Sequence, residues 1–379
     1  MRQGLSSFLN ASRGVAAALV LFNHVRHLLL TDFYDVEHKT VFDRALYFLT
    51  GFGHEAVVIF FVISGYLVGG LTLKRWKARG PDLAHYSAAR ISRIYTVLVP
   101  TLVIGFTLDF LGRRWLNSSD LYTAYLGTAL DPRAFFGNLF MLQGILTSPL
   151  GTNGPLWSLA YEWWYYCAFA PAAMAIISTR PTRFLYVAGV LALGLVLPVK
   201  FVLWSSIWTL GVLTAYWVES NLWRPSPVLG LALFSVAMVC SRLSHNVETA
   251  TYTEPLRVEF GRDALLTLAY CVCVAGMSRL RTPIPMARQF DWLASFSYTT
   301  YLCHFPGLIA VVALAYQVLG LEFHAQPSAV SLCYSAACSA ILYLYAFLIY
   351  WVTERHTDAV RDWLSTRFQS VRSAFHRTS

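Results

Sequence analysis

Charge is what this chain has least of. Only 13% of its 379 residues are Asp, Glu, Lys or Arg, against about 25% in an ordinary soluble domain. A surface exposed to water on all sides is excluded on that ground. Signs of cysteine pairing are also missing. The seven cysteines (Cys167, Cys240, Cys271, Cys273, Cys303, Cys333 and Cys338) all lie inside apolar runs, and no CxxC occurs. They read as small core residues, not disulfides or zinc ligands. There is no low-complexity tract, internal repeat or soluble basic domain, so the net charge of +9 does not point to nucleic acid. The first apolar stretch continues as Leu30-Thr31-Asp32-Phe33 with no small-x-small cleavage site, and is expected to remain as a helix.

What the chain does have is apolar length. Hydrophobic residues make up 56% of it. Ten runs approach the ~20 residues needed to cross hydrocarbon: 12–30, 50–73, 94–112, 155–177, 184–200, 202–219, 227–243, 263–279, 297–319 and 328–352. A shorter run at 133–146 is expected to be re-entrant or interfacial. With the N-terminus inside, nineteen Lys and Arg fall in one set of loops and ten in the other. That asymmetry places both termini in the cytoplasm. The expected architecture is therefore all-α and polytopic, with about ten transmembrane helices, in an inner or plasma membrane. Residues 1–355 form the membrane domain and 356–379 a basic cytoplasmic tail.

Within the first run, Arg13 and His24 interrupt apolar sequence. On a helix the step between them is about 1,100°, roughly three turns plus 20°, which puts them on one face about 16 Å apart. Ionisable groups in hydrocarbon usually face a bundle interior or a watery cavity. A docking cation and a proton-transfer imidazole along one channel fit this pattern. So do a snorkelling Arg13 and a His24 bonded to a neighbouring helix.

Other motifs follow in order. Ser64-Gly65 allows close approach of a backbone or a thin ligand. Val62 excludes a G-x-S-x-G elbow there, and Val58 excludes an HExxH zinc site starting at His54. Arg90 and Arg93 project from one helical face, suited to gripping phosphate or serving as positive-inside charge. Pro155 opens a helix that carries Glu162 two turns in among aromatics. A carboxylate at that depth needs a partner, functional or structural. Ser297, Tyr301 and His304 share a face. Glu354-Arg355 ends the last run as a possible interface anchor. His27-x4-Asp32 matches a glycerolipid acyltransferase spacing but not its surroundings.

Taken together these pieces resemble the acyltransferase-3 family of integral membrane O-acyltransferases. The marks are Arg13-x10-His24, the Phe60-to-Leu67 run, Arg90-x-x-Arg93, Leu156-Trp157-Ser158-Leu159 with Glu162, Ser297-to-His304 and Glu354-Arg355. The resemblance implies transfer of an acyl group, most often acetyl, from cytoplasmic acyl-coenzyme A to a hydroxyl of a glycan or glycoconjugate. It implies His24 as general base, Arg13 as stabiliser of the donor, Glu162 as orienting group, and Arg90 and Arg93 as coenzyme-phosphate ligands. Ser64, Trp157, Tyr161, Ser297, Tyr301 and His304 are the substrate-binding candidates. No metal is required. Two departures stand out: no esterase-like domain is expected after the membrane domain, and Val57-Val58-Ile59 replaces an acidic residue common before the Phe-Phe pair. Acylation of a secondary metabolite, a proton-coupled transporter or flippase using His24 and Glu162, and a sensor with a degenerate site are the competing readings. Oligomeric state is not legible.

Overall fold

The computed structural model describes residues 2–126, 130–220, 222–244 and 254–378, the last nine of these as backbone only. Part of the segment between the expected spans 227–243 and 263–279 thus lies outside the described residues. The described chain is helical with no named strand. In order the helices are α1 (Gln3–Leu29), α2 (Val41–Leu49), α3 (Gly53–Ser64), α4 (Leu71–Arg79) and α5 (Leu83–Trp115). Then come α6 (Leu121–Leu126), α7 (Pro132–Leu139), α8 (Trp157–Ile177), α9 (Arg183–Val196), α10 (Val199–Glu219) and α11 (Pro227–Ser244). The last five are α12 (Leu256–Met277), α13 (Ala287–Ser295), α14 (Ser297–Leu319), α15 (Ala329–Val352) and α16 (Thr357–Thr378).

Local chemistry sets several boundaries. Thr40 with Asp43, and Ser328 with Ser331, close capping boxes at the starts of α2 and α15. Asp82 and Asp131 cap α5 and α7. Eight helical stretches are long and apolar enough to span a bilayer. The two expected spans outside that set have plain reasons. α8 has 21 residues, but its first half is dominated by Trp, Tyr and Glu162. α9 has only 14 residues, because the extended backbone at Leu197-Pro198 ends it. The run expected to be re-entrant begins as α7, 8 residues long, and continues in turns. The expected tail is helical, as α16.

The chain divides into two compact units. The first comprises Met1–Asn23, Lys39–Arg79 and Tyr161–Ser297. Here α3 and α10 pack backbone to backbone. A Cβ added at Gly65 would stand 1.9 Å from the Trp208 carbonyl oxygen, and one at Gly211 2.2 Å from that of Val62. The chain passes this crossing in a π-helical turn, Gly65–Gly70. α11 lies along α12, and Ser241 on α11 donates to the buried Glu55 on α3 at 2.9 Å.

The second unit comprises His24–His38, Gly80–Ala160 and Tyr298–Ser379. Cys303, Ala346 and Ile349 form a core cluster with Ile104 and Tyr345, joining α5, α14 and α15. Pro306 lies inside α14 and cannot donate to the Leu302 carbonyl one turn back. The Asn153 amide fills that place at 2.8 Å. The neighbouring Thr152 is held in turn by Asp109, through its backbone N–H at 2.8 Å and its hydroxyl at 2.9 Å. Across the end of α1, the N–H groups of His324 and Ala325 donate to the carbonyls of Leu28 and Leu29. These carbonyls have no partner within their own helix.

Candidate active site

In the second unit the structure brings together two histidines 280 positions apart. Nδ1 of His24, near the end of α1, lies 2.8 Å from Nε2 of His304 on α14. His304 is buried at 1% exposure, whereas His24 is partly exposed. Phe305 meets the His24 ring edge-on, with centroids 5.0 Å apart and planes at 82°. Tyr125 packs in the same manner against Phe305. Burial, helped by the nearby Asp32 carboxylate, pushes the Tyr125 phenol above its ordinary range and keeps it neutral.

One turn earlier on α14, the Tyr301 hydroxyl lies 2.6 Å from that of Ser158 and 3.2 Å from the Pro155 carbonyl. Trp157, next to Ser158, is half-buried. On α14, then, Tyr301 meets the start of α8 and His304 meets His24.

Arg93 and Glu354 also belong to this unit. The guanidinium donates to the Glu354 carboxylate at 2.5 Å and covers the Tyr298 ring at 4.7 Å. The other carboxylate oxygen accepts from the backbone N–H and hydroxyl of Thr299 at 3.0 and 2.7 Å. Glu354, read from sequence as an interface anchor, is instead 6% exposed and fully engaged. Arg90 lies over Tyr86, 5.9 Å from the ring centroid. His27 and Asp32 approach only to 3.8 Å on an exposed surface, a loose pair.

The first unit holds the remaining candidates. The Arg13 guanidinium donates to the Ala294 carbonyl at 3.4 Å. The neighbouring Gly14 rests on Leu293, and the Ser297 hydroxyl also donates to Ala294. Glu162 and Ser64, distant in sequence, are linked by Tyr166. Its hydroxyl donates to Glu162 at 2.5 Å and lies 3.0 Å from the Ser64 oxygen, which accepts from the Trp208 indole at 3.1 Å. Tyr161 is stacked on Phe201 with centroids 3.7 Å apart.

One cluster in this unit escaped the sequence reading. Asp263 is fully buried and accepts from His54 Nε2 at 2.8 Å and from the Trp204 indole at 3.0 Å. Glu259, one turn earlier on α12, pairs with Lys200 at 2.8 Å. The signal in the sequence was an acidic pair at i, i+4 opening an apolar helix. The zinc-motif spacing excluded at His54 spans five residues, whereas its partner Asp263 lies 209 positions away.

Comparison with known proteins agrees with the motifs. A family model described as an acyltransferase domain, Acyl_transf_3, matches residues 6–351. Acyltransferase MdmB of Streptomyces mycarofaciens is 25% identical over 313 residues, covering 73% of each chain. The O-acetyl transferase of Shigella phage Sf6 is 31% identical over 170 residues, 42% of this chain and 44% of that protein. No solved structure gives a significant match. With almost its whole length matched and the family's polar residues set on apolar helices, the chain belongs to the acyltransferase-3 family and is a multi-pass membrane acyltransferase.

Proposed function

We propose that the protein is an O-acyltransferase of the plasma membrane. It moves an acyl group, acetyl by preference, from cytoplasmic acyl-coenzyme A to a hydroxyl of a glycan or glycoconjugate. The observation that carries this reading is the imidazole of His24, partly exposed and held by His304 at 2.8 Å within apolar helices. A positioned imidazole is the commonest general base. His24 takes the proton of the acceptor hydroxyl as its oxygen bonds to the thioester carbonyl carbon. The carbon–sulfur bond breaks, and the imidazolium returns its proton to the departing thiolate. Ester and free thiol are the products, and the chemistry requires no metal.

Arg13 is the candidate for stabilising the donor, and Arg90 and Arg93 for its phosphates. Glu162 orients polar groups through Tyr166. Trp157 and Tyr301, near the start of α8, are the candidates for contacting the acceptor. The relative named O-acetyl transferase supports the oxygen-linked, acetyl form of the reaction. Purified protein in detergent, given acetyl-coenzyme A and a panel of hydroxyl acceptors, should release free thiol. Absence of release with acetyl and longer acyl donors alike would overturn the reading.

A further inference from the structure

The contact between His24 and His304 contains more information than a distance. The Nδ1 atom of His304 faces two carbonyl oxygens of its own helix, Tyr301 at 2.8 Å and Thr300 at 3.1 Å. Carbonyl oxygens only accept, so Nδ1 of His304 carries a hydrogen. In a neutral ring its Nε2 is then a bare lone pair. That lone pair faces His24 Nδ1 at 2.8 Å. The ring centroids are 5.0 Å apart and the planes differ by 25°. A separation of 5.0 Å is the 2.8 Å contact plus the radii of two imidazoles. The line of contact therefore runs through both rings, along the in-plane direction of a lone pair and an N–H, and not across their faces. His24 Nδ1 must be the donor.

We infer that His304 is a positioning residue that fixes His24 in the Nδ1–H tautomer and leaves its Nε2 as the only basic nitrogen. This rests on the reading of His24 as the base. A free histidine side chain in water favours the opposite tautomer, which would present an N–H where a base is required. Which nitrogen of a histidine is protonated is set by the bond the other one makes. Here that bond is to a neutral imidazole, which brings no net charge between apolar helices. Among the described residues His24 has no other hydrogen-bond partner.

The same geometry rules out a relay. A proton passed to His304 Nε2 could leave only through Nδ1, and Nδ1 is aimed into the carbonyls of its own helical turn. The His304 side chain is itself buried. The proton taken by His24 must leave from the nitrogen that received it, consistent with return to the thiolate.

The test is ring-labelled histidine NMR on the full-length protein in detergent, with His24 assigned by its loss in His24→Gln. In the wild type, His24 should show the Nδ1–H pattern of ring shifts, and in His304→Leu the Nε2–H pattern. Kinetics supply a second arm. His304→Leu and His304→Asn should lose about 10²- to 10⁴-fold in kcat with KM little changed, the range expected for a misdirected base. His304→Gln, whose amide oxygen reaches the place of Nε2, should recover much of that loss. An Nε2–H pattern for His24 in the wild type overturns the inference, even if His304→Leu does not fold. Equal losses in the Gln and Leu variants, with both folded, also overturn it. An Nδ1–H pattern in the wild type together with a fully active His24→Gln would instead overturn the reading of His24 as base and leave the tautomer assignment standing.

Discussion

At the scale of single residues, His24→Gln is the sharpest substitution. Glutamine can still hydrogen-bond toward His304 but cannot accept a proton at neutral pH. Acyl transfer should fall by about 10²- to 10⁴-fold, while yield and melting temperature stay near wild type. Wild-type turnover would reduce the contact to helix packing. Arg90 and Arg93 call for a different measurement, because Arg93 already holds Glu354. Arg93→Ala leaves a buried carboxylate acceptor short of one donor, at a cost of about 1–3 kcal/mol. Arg93→Ala with Glu354→Gln should regain part of that stability. If the arginines also grip coenzyme phosphates, that double variant and Arg90→Ala will bind acyl-coenzyme A more weakly by calorimetry, and the loss will shrink at high salt. Unchanged affinity assigns both to structure. The candidate residues stood out in sequence because hydrocarbon tolerates few polar groups. Which of them pair with which did not. His24 and His304 are separated by 280 positions, and Ser64 meets Glu162 only through Tyr166.

At the scale of elements, the α3–α10 crossing is the place where one methyl group should matter most. At Gly65 and Gly211 the obstacle to a Cβ is a carbonyl of the facing backbone, which cannot rotate aside as a side chain would. Gly65→Ala and Gly211→Ala should each lower stability by about 1–3 kcal/mol or more, read as a fall in melting temperature in detergent. Alanine at Gly189 or Gly194, where nothing lies within 4 Å, should leave it unchanged. Equal behaviour at all four sites would show that the crossing is not tight. Apolar run length made most of these helices legible. It misjudged α9, because a leucine-rich run flanked by Pro198 reads as membrane-length until the backbone turns at Leu197. It also could not anticipate that α14 keeps Pro306 by borrowing the Asn153 amide, since that repair comes from a distant loop.

At the scale of the whole molecule, the distribution of Lys and Arg predicts both termini in the cytoplasm. Ala78, exposed near the end of α4, and Ser118, exposed just past the end of α5, should then face opposite compartments. With the exposed Cys240 and Cys333 replaced by serine, a cysteine at Ser118 should react with an impermeant thiol reagent added outside. One at Ala78 should react only after the membrane is opened. The reverse pattern would invert the proposed entry of the donor.

Glu354 has a further consequence, for where the chain can be shortened. The last membrane helix ends at Val352, and a cut there would look harmless by hydropathy. Such a cut would remove the carboxylate that joins Arg93 on α5 to Thr299 at the start of α14. It would also remove α16, which packs along α5. The minimal folding unit therefore extends past the membrane, and a version ending at Val352 should be recovered from detergent in lower yield than one ending beyond α16.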